Sequence, residues 1–203
     1  KTWLDWINGM LFTDKGLYMA RSFETGWQQI YFLSYDGKTL KRLTDGPNWR
    51  VELLRTDNDG SVYYTACRDA SVRQCLYKVN AAGEIKALTD TSLNVNSVSF
   101  APDGKHFIAA LSNFTTPVQL WMYETSSAAE AWKARRMLAS SDKKAKRYNA
   151  RPANTAYLVA DMKGNDYNAA NYALPQLIYI ENDGLKLPAY IVYPENFDPT
   201  KKY

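Results

Sequence analysis

A repeat constrains this chain more than any other feature. Gly16, Gly60 and Gly104 lie 44 and 44 residues apart, and each closes a polar turn: Thr13-Asp14-Lys15-Gly16, Asp57-Asn58-Asp59-Gly60 and Pro102-Asp103-Gly104. A short apolar strand follows each glycine, at Leu17–Ala20, Val62–Ala66 and His106–Ala110. After a polar loop a second strand recurs, at Gln29–Leu33, Cys75–Val79 and Val118–Met122, with an aromatic at Tyr31, Tyr77 and Trp121. Turns at Asp36-Gly37 and Ala82-Gly83 lead to a third strand ending in Leu43-Thr44-Asp45 and Leu88-Thr89-Asp90. With the strand before its glycine, each unit supplies four short antiparallel strands, the pattern of a propeller blade of about 40 to 45 residues. A β-sandwich also has closely spaced strands, but it does not require a register that repeats at this period.

The expected fold class is therefore all-β, a partial β-propeller of three four-stranded antiparallel blades over residues 1–47, 48–92 and 93–141. The third copy stretches its last turn and is expected to end near Leu138. The repeated aromatics are read as core packing rather than a carbohydrate platform, because they recur from unit to unit. Propellers are closed rings of four or more blades. Three blades leave edge strands unpaired, which predicts self-association through the blade edges and a chain cut from a larger ring.

Beyond residue 141 the period stops. Residues 142–174 are expected to form a loop or short helix. Strand pattern returns at Gln176–Ile180 and Leu185–Tyr193 around Asn182-Asp183-Gly184, a strong hairpin signal. A proline-punctuated stretch, Pro194 to Tyr203, closes the sequence.

Composition limits the chemistry. The 203 residues are 46% hydrophobic, enough for a packed core and too apolar for a disordered tail. No apolar run is long enough to span a bilayer, and no leader pattern stands at the N-terminus. One histidine and two cysteines cannot assemble a Cys/His zinc site, and a serine triad would have to use His106 itself. No G-x-S-x-G, H-E-x-x-H, G-x-G-x-x-G or Walker A pattern occurs. His106 is read as a structural or surface residue, since its repeat equivalents Leu17 and Ser61 are not histidine. Cys67 and Cys75 flank a loop between two antiparallel strands, so a disulfide and two reduced thiols both stay open. Asn113-Phe114-Thr115 matches a glycosylation sequon, a pattern frequent by chance. Eight basic residues against one acid fall between Lys133 and Arg151, leaving the rest of the chain at −3 (+4 minus +7). With Trp132 and Tyr148 nearby, this segment is the one candidate for nucleic-acid contact, but a solvated rim loop is favoured and no nucleic-acid partner is expected.

Several stretches together resemble the dipeptidyl peptidase IV branch of the prolyl oligopeptidase-type serine peptidases. They are Gly26-Trp27-Gln28-Gln29-Ile30-Tyr31 running to Lys41-Arg42-Leu43-Thr44-Asp45-Gly46, the Tyr63–Ala66 and Leu76–Asn80 pair, Val98 to Lys105, and Tyr193-Pro194 to Tyr203. The resemblance implies the last three blades of an eight-bladed propeller, followed by the start of an α/β-hydrolase domain at 175–203. It implies a parent enzyme that releases N-terminal Xaa-Pro or Xaa-Ala dipeptides, located in the periplasm or outside the cell, with the propeller gating and scaffolding the active site. The family's catalytic Ser, Asp and His and its oxyanion tyrosine lie downstream, and its substrate-binding glutamate pair lies on an earlier blade. No Glu-Glu pair exists here, so no catalytic, cofactor-binding or metal-binding residue is assigned, and this segment alone is expected to be inactive. The rival expectation is a free-standing propeller-like module that binds protein or peptide without catalysis.

Overall fold

The computed structural model describes residues 9–141, 156–164, 167 and 173–202. Three four-stranded antiparallel sheets follow one another along the chain. The first comprises β1 (Met10–Thr13), β2 (Gly16–Arg21), β3 (Gln29–Ser34) and β4 (Leu40–Arg42), paired in that order. The second repeats the order with β5 (Trp49–Thr56), β6 (Val62–Cys67), β7 (Cys75–Val79) and β8 (Ile85–Ala87). The third comprises β9 (Asn94–Phe100), β10 (His106–Asn113), β11 (Thr116–Glu124) and β12 (Tyr157–Asp161). The all-β blade pattern expected from the 44-residue period is the fold that forms.

Two turn chemistries explain the period. The backbone N–H of Gly60 donates to Asp57 O at 3.0 Å and that of Gly104 to Ala101 O at 2.8 Å, closing equivalent reverse turns between the first and second strands. Gly104 turns at φ +67°, and a Cβ there would also run into the Arg55 guanidinium, so the position excludes a side chain twice over. At the other end of each sheet the Leu-Thr dipeptide extends the pairing of the third strand. Leu43 N–H donates to Ile30 O and Leu88 N–H to Leu76 O, both at 2.8 Å. In return the Thr44 hydroxyl accepts from Ile30 N–H at 2.9 Å, and that of Thr89 from Leu76 N–H at 3.2 Å. Both threonines are buried, so each hydroxyl satisfies a donor that water cannot reach.

The core lies between sheets. Tyr18, Ala20 and Ile30 of the first sheet pack on Val62, Tyr64, Ala66, Cys75, Tyr77 and Val79 of the second. The opposite face of the second sheet sends Tyr63 and Leu76 against Phe107, Ala109, Leu111, Trp121 and Tyr123 of the third. Strand β6 is buried along its whole length, because alternate residues enter the two cores. This is why Val62-Tyr63-Tyr64-Thr65-Ala66-Cys67 reads as a continuous run rather than an alternating one. Tyr31, Tyr77 and Trp121 are all buried, as core packing requires.

The third sheet departs from expectation. Its outer strand is β12, which falls inside 142–174, so the sheet draws on residues past 141 instead of ending near Leu138. Between β11 and β12 the chain forms helix α1 (Ala128–Ser141). Ala128, Ala131 and Trp132 stand on one face of that helix and are buried, and Trp132 Nε1–H donates to Ala87 O at 3.0 Å. The helix thus joins the second and third sheets at a place where the first two repeats have only a turn. The other residues expected to form connection, 142–155 among them, lie largely outside the described residues. Beyond it, β13 (Gln176–Asn182) and β14 (Leu185–Ile191) form the expected hairpin. Asp183 and Gly184 both adopt positive φ, the primed turn that an Asp-Gly pair favours.

Register decides the geometry of the cysteines. Cys75 pairs with Ala66 and shares its face, whereas Cys67, the next residue along β6, projects from the opposite face. Both are free and buried. Burial pushes the Cys75 thiol up to about 12 and raises that of Cys67 as well. A raised thiol pKa keeps the sulfur neutral through the physiological range, leaving about one part in ten thousand of Cys75 as thiolate at pH 8. Non-reduced protein at pH 8 is expected to yield two reactive thiols in denaturant and almost none when folded; a single rapid thiol titre of zero in denaturant would show a bond instead. The hydroxyl lock makes a second prediction. Thr44→Val and Thr89→Val should each lower unfolding free energy by about 1–3 kcal/mol, while Thr→Ser at either site should cost less. An unchanged urea midpoint for both valine variants would remove the lock from the account.

Candidate functional site

The two ends of the sheets differ in what they offer. One end carries the tight turns at Gly16, Gly60 and Gly104, and there the charged groups pair with one another. Arg55 donates to Asp57 Oδ1 at 2.5 Å and lies over the rings of Tyr63 (5.3 Å) and Phe100 (5.1 Å). The Tyr63 hydroxyl donates to Asp57 Oδ2 at 2.7 Å, and Lys78 Nζ stands 3.5 Å from the same carboxylate. Burial, then that hydrogen bond, drives the Tyr63 phenol well above its ordinary range, so it stays protonated. This cluster welds the second sheet to the third and leaves little for a ligand. His106 sits at this end on β10, exposed and paired across the ladder with Glu124. That position fits the structural or surface role read from its repeat equivalents.

The opposite end carries the longer loops between second and third strands and the entries to β5 and β9. Two clefts open here. One, of about 510 Å³, is lined by Arg73, Ser92, Asn94, Asn113, Phe114 and, from the hairpin, Tyr190. The Phe114 and Tyr190 rings stand 4.4 Å apart, so β13–β14 is seated against the β10–β11 turn. The Asn113 of the sequon is engaged in that turn: its Oδ1 accepts from Thr115 N–H at 2.9 Å and its Nδ2 donates to Ser92 O at 3.3 Å. The second cleft, of about 650 Å³, is lined by Gly9, Gln28, Arg50, Val51, Glu52, Leu53 and Gln74.

Amide side chains build the floor of this loop face. A buried network joins Gln29 to Thr44 (2.7 Å), Asn48 (2.9 Å) and Gly46 O (2.7 Å), and Arg68 extends it to Asn48 Oδ1 and Asp45 O. Asp69 accepts from the Tyr77 hydroxyl at 2.8 Å, which pins the loop holding Arg68. In the next repeat Gln74 N–H donates to Asn94 Oδ1 at 3.0 Å, and Gln74 Nε2 donates to Thr65 Oγ1 at 2.7 Å. Sequence reasoning passed over Gln28, Arg50 and Gln74. A signal for them was present, because Gln28 and Gln74, and Asn48 and Asn94, recur at 46 residues rather than 44.

Cys67 and Cys75 border the loop between β6 and β7 at this face without meeting. Of the basic segment, Lys133 lies over the Trp132 ring at 5.7 Å, Arg135 and Arg136 belong to α1, and 143–151 with Tyr148 lie outside the described residues. Among the described residues no group of three or more His, Cys, Asp or Glu could hold a metal ion, and no helix is long and apolar enough to cross a membrane. His106 stands at the other end of the sheets, away from both clefts.

Known proteins share this arrangement. The chain is 28% identical over 193 residues to a probable dipeptidyl peptidase 4 of Emericella nidulans, an alignment that takes in 92% of this chain and 22% of that protein. The crystal structure of Porphyromonas gingivalis dipeptidyl peptidase 4 superposes with a TM-score of 0.67 at 22% identity, over 96% of this chain and 24% of that one. The chain therefore spans about a quarter of the length of these relatives. Its residues 1–118, more than half of it, match the dipeptidyl peptidase IV N-terminal region, and the chain belongs to that family.

Proposed function

We propose that this chain is the propeller-to-hydrolase junction of a serine-type dipeptidyl peptidase, which releases Xaa-Pro or Xaa-Ala dipeptides from peptide N-termini. The observation that carries this is the family membership of the three sheets, joined to a hairpin seated on their loop face. Residues 194–202 continue from that hairpin in the pattern that precedes the first long strand of the hydrolase domain. Attack on the scissile carbonyl, formation of the acyl-enzyme and its hydrolysis are carried out by groups outside this chain. The three sheets scaffold the pocket, and their loop face fronts it and limits what enters.

The sheet surfaces favour incorporation in a larger ring. Faces turned away from the second sheet carry Phe12, 65% exposed, on the first sheet and Ile108, 40% exposed, on the third. Further blades of the parent would cover them, and the polypeptide alone is expected to self-associate through the same surfaces. Export to the periplasm or cell exterior is part of the same proposal. A free-standing binding module has no specific observation in its favour.

The test is turnover of a Gly-Pro chromogenic substrate. The full-length parent is expected to hydrolyse it and the 203-residue chain to be inactive. A full-length protein without turnover, at enzyme concentrations that would reveal even slow hydrolysis, would sink the assignment.

A further inference from the structure

Among the described residues three non-glycines adopt the left-handed backbone conformation, Arg50, Asp183 and Asn196. Asp183 occupies a hairpin turn that requires it, and asparagine tolerates the region through its short polar side chain. Arg50, at φ +51°, has neither excuse. A long side chain in that well costs about 1 kcal/mol or more and persists only where the surroundings impose it.

The imposing feature is an inserted dipeptide. The repeat spacing is 44 residues at Gly16 and Gly60, 46 from Gln28 and Gln74 to Asn48 and Asn94, and 44 again at Val51 and Val95. Asn94 is followed at once by Val95, whereas Trp49 and Arg50 intervene between Asn48 and Val51. The sheet takes up the excess in two register shifts: Trp49 pairs with Cys67 and Glu52 with Thr65, three steps on β5 against two on β6, and Leu53 pairs with Tyr64 and Arg55 with Tyr63, two steps against one. The displaced backbone is tied down from two sides, on one of them by Gln74 Nε2, which donates to Arg50 O at 3.5 Å. Val51 N–H donates to Gln28 Oε1 at 2.7 Å, where the next repeat uses a backbone bond from Val95 N–H to Gln74 O, also at 2.7 Å. Because Gln28 Oε1 is committed, its Nε2 donors are left for the cleft. Arg50 is exposed and lines the same cleft, its guanidinium with no hydrogen bond or ion pair among the described residues, and Trp49 stands 4.6 Å from Trp27.

We propose that the Trp49-Arg50 bulge is a carboxylate-reading subsite for the C-terminal part of a peptide whose N-terminus lies in the catalytic pocket. The subsite deepens the peptidase reading and rests on it. Arg50 and Gln28 both line the 650 Å³ cleft at the loop end of the sheets, so the guanidinium and Gln28 Nε2 are the donors available to it. Arginine suits the task because its fork pairs two N–H groups with one carboxylate. Glu52 lines the same cleft and opposes a nearby anion, so it tunes the subsite by repulsion.

The experiment uses the full-length parent and peptides of four to eight residues beginning Gly-Pro. Their second peptide bond is replaced by a reduced CH₂–NH link, and each is made as a free acid and as a C-terminal amide. Binding is followed by calorimetry, which needs no turnover. At one or more lengths the free acid is expected to bind about two- to fivefold more tightly than the amide. Arg50→Gln should abolish that preference, and Glu52→Gln should enlarge it. Arg50→Gly, which relieves the backbone, should raise the melting temperature while losing the preference, separating lost recognition from lost folding. Equal binding of acid and amide at every length, or an acid preference unchanged by Arg50→Gln, overturns the subsite. Absence of Gly-Pro hydrolysis speaks instead to the peptidase reading and is scored separately.

Discussion

Everything in this structure depends on the double-sided burial of the second sheet. Strands β6 and β7 send alternate residues into two cores, one shared with each neighbouring sheet. An isolated four-stranded sheet of this length could cover only one face at best, and its tyrosines would stand in water. Stacking sheet on sheet removes that exposure and fixes the spacing of the repeats, since each unit must present compatible faces on both sides. The same requirement explains the even distribution of aromatic residues. Tyr64 stacks on Tyr77, and Phe107 on Tyr123, within units, while Tyr63 meets Phe100 between them. Large rings bridge the gap between diverging sheets better than aliphatic side chains do.

That burial leaves the sheet ends to settle the polar accounts, and the two ends do so differently. At the tight-turn end, Arg55, Asp57, Tyr63 and Lys78 pair with one another within the second sheet, and Arg55 and Tyr63 lie against Phe100 of the third. A junction of that kind resists rearrangement, because withdrawing one member strands the others partly buried. At the loop end the side chain of Gln29 is fully engaged by Thr25, Thr44, Gly46 O and Asn48, and those of Asn48, Gln74 and Asn94 each hold two partners, whereas Gln28 has its Oε1 taken by Val51 N–H and its Nε2 uncommitted among the described residues. The hairpin β13–β14 sits at this end, with Tyr190 against Phe114.

The sequence made the blades legible for a physical reason. Gly60, Gly104, Thr44 and Thr89 each perform a task that few other residues can, so they recur at fixed places and reveal the period. The fourth strand of the third sheet was not legible, because Tyr157–Asp161 stands far from its repeat position and helix α1 occupies the interval. Nothing local in Ala128–Ser141 distinguishes a helix that plugs a sheet interface from an alanine-rich loop until Trp132 finds Ala87 O. The cysteines show a different limit. Proximity along a hairpin is readable, but whether two side chains share a face depends on a one-residue register that only the paired strands define.

The candidate site illustrates the same limit from the other side. Repeats advertise what is common to every copy, and function enters where one copy departs. A period measured from glycine to glycine stays at 44 through the second unit, hiding a change that glutamine-to-glutamine spacing exposes. Between Asn48 and Val51 the chain gains two residues, and the sheet cannot absorb them by lengthening, because β6 is locked between two cores. The excess is therefore expelled as a bulge toward the loop face, where Trp49 and Arg50 reach solvent. Rigidity of the core is thus what converts a small insertion into a projecting charge, and a looser sheet would have dispersed the same residues into a longer connection.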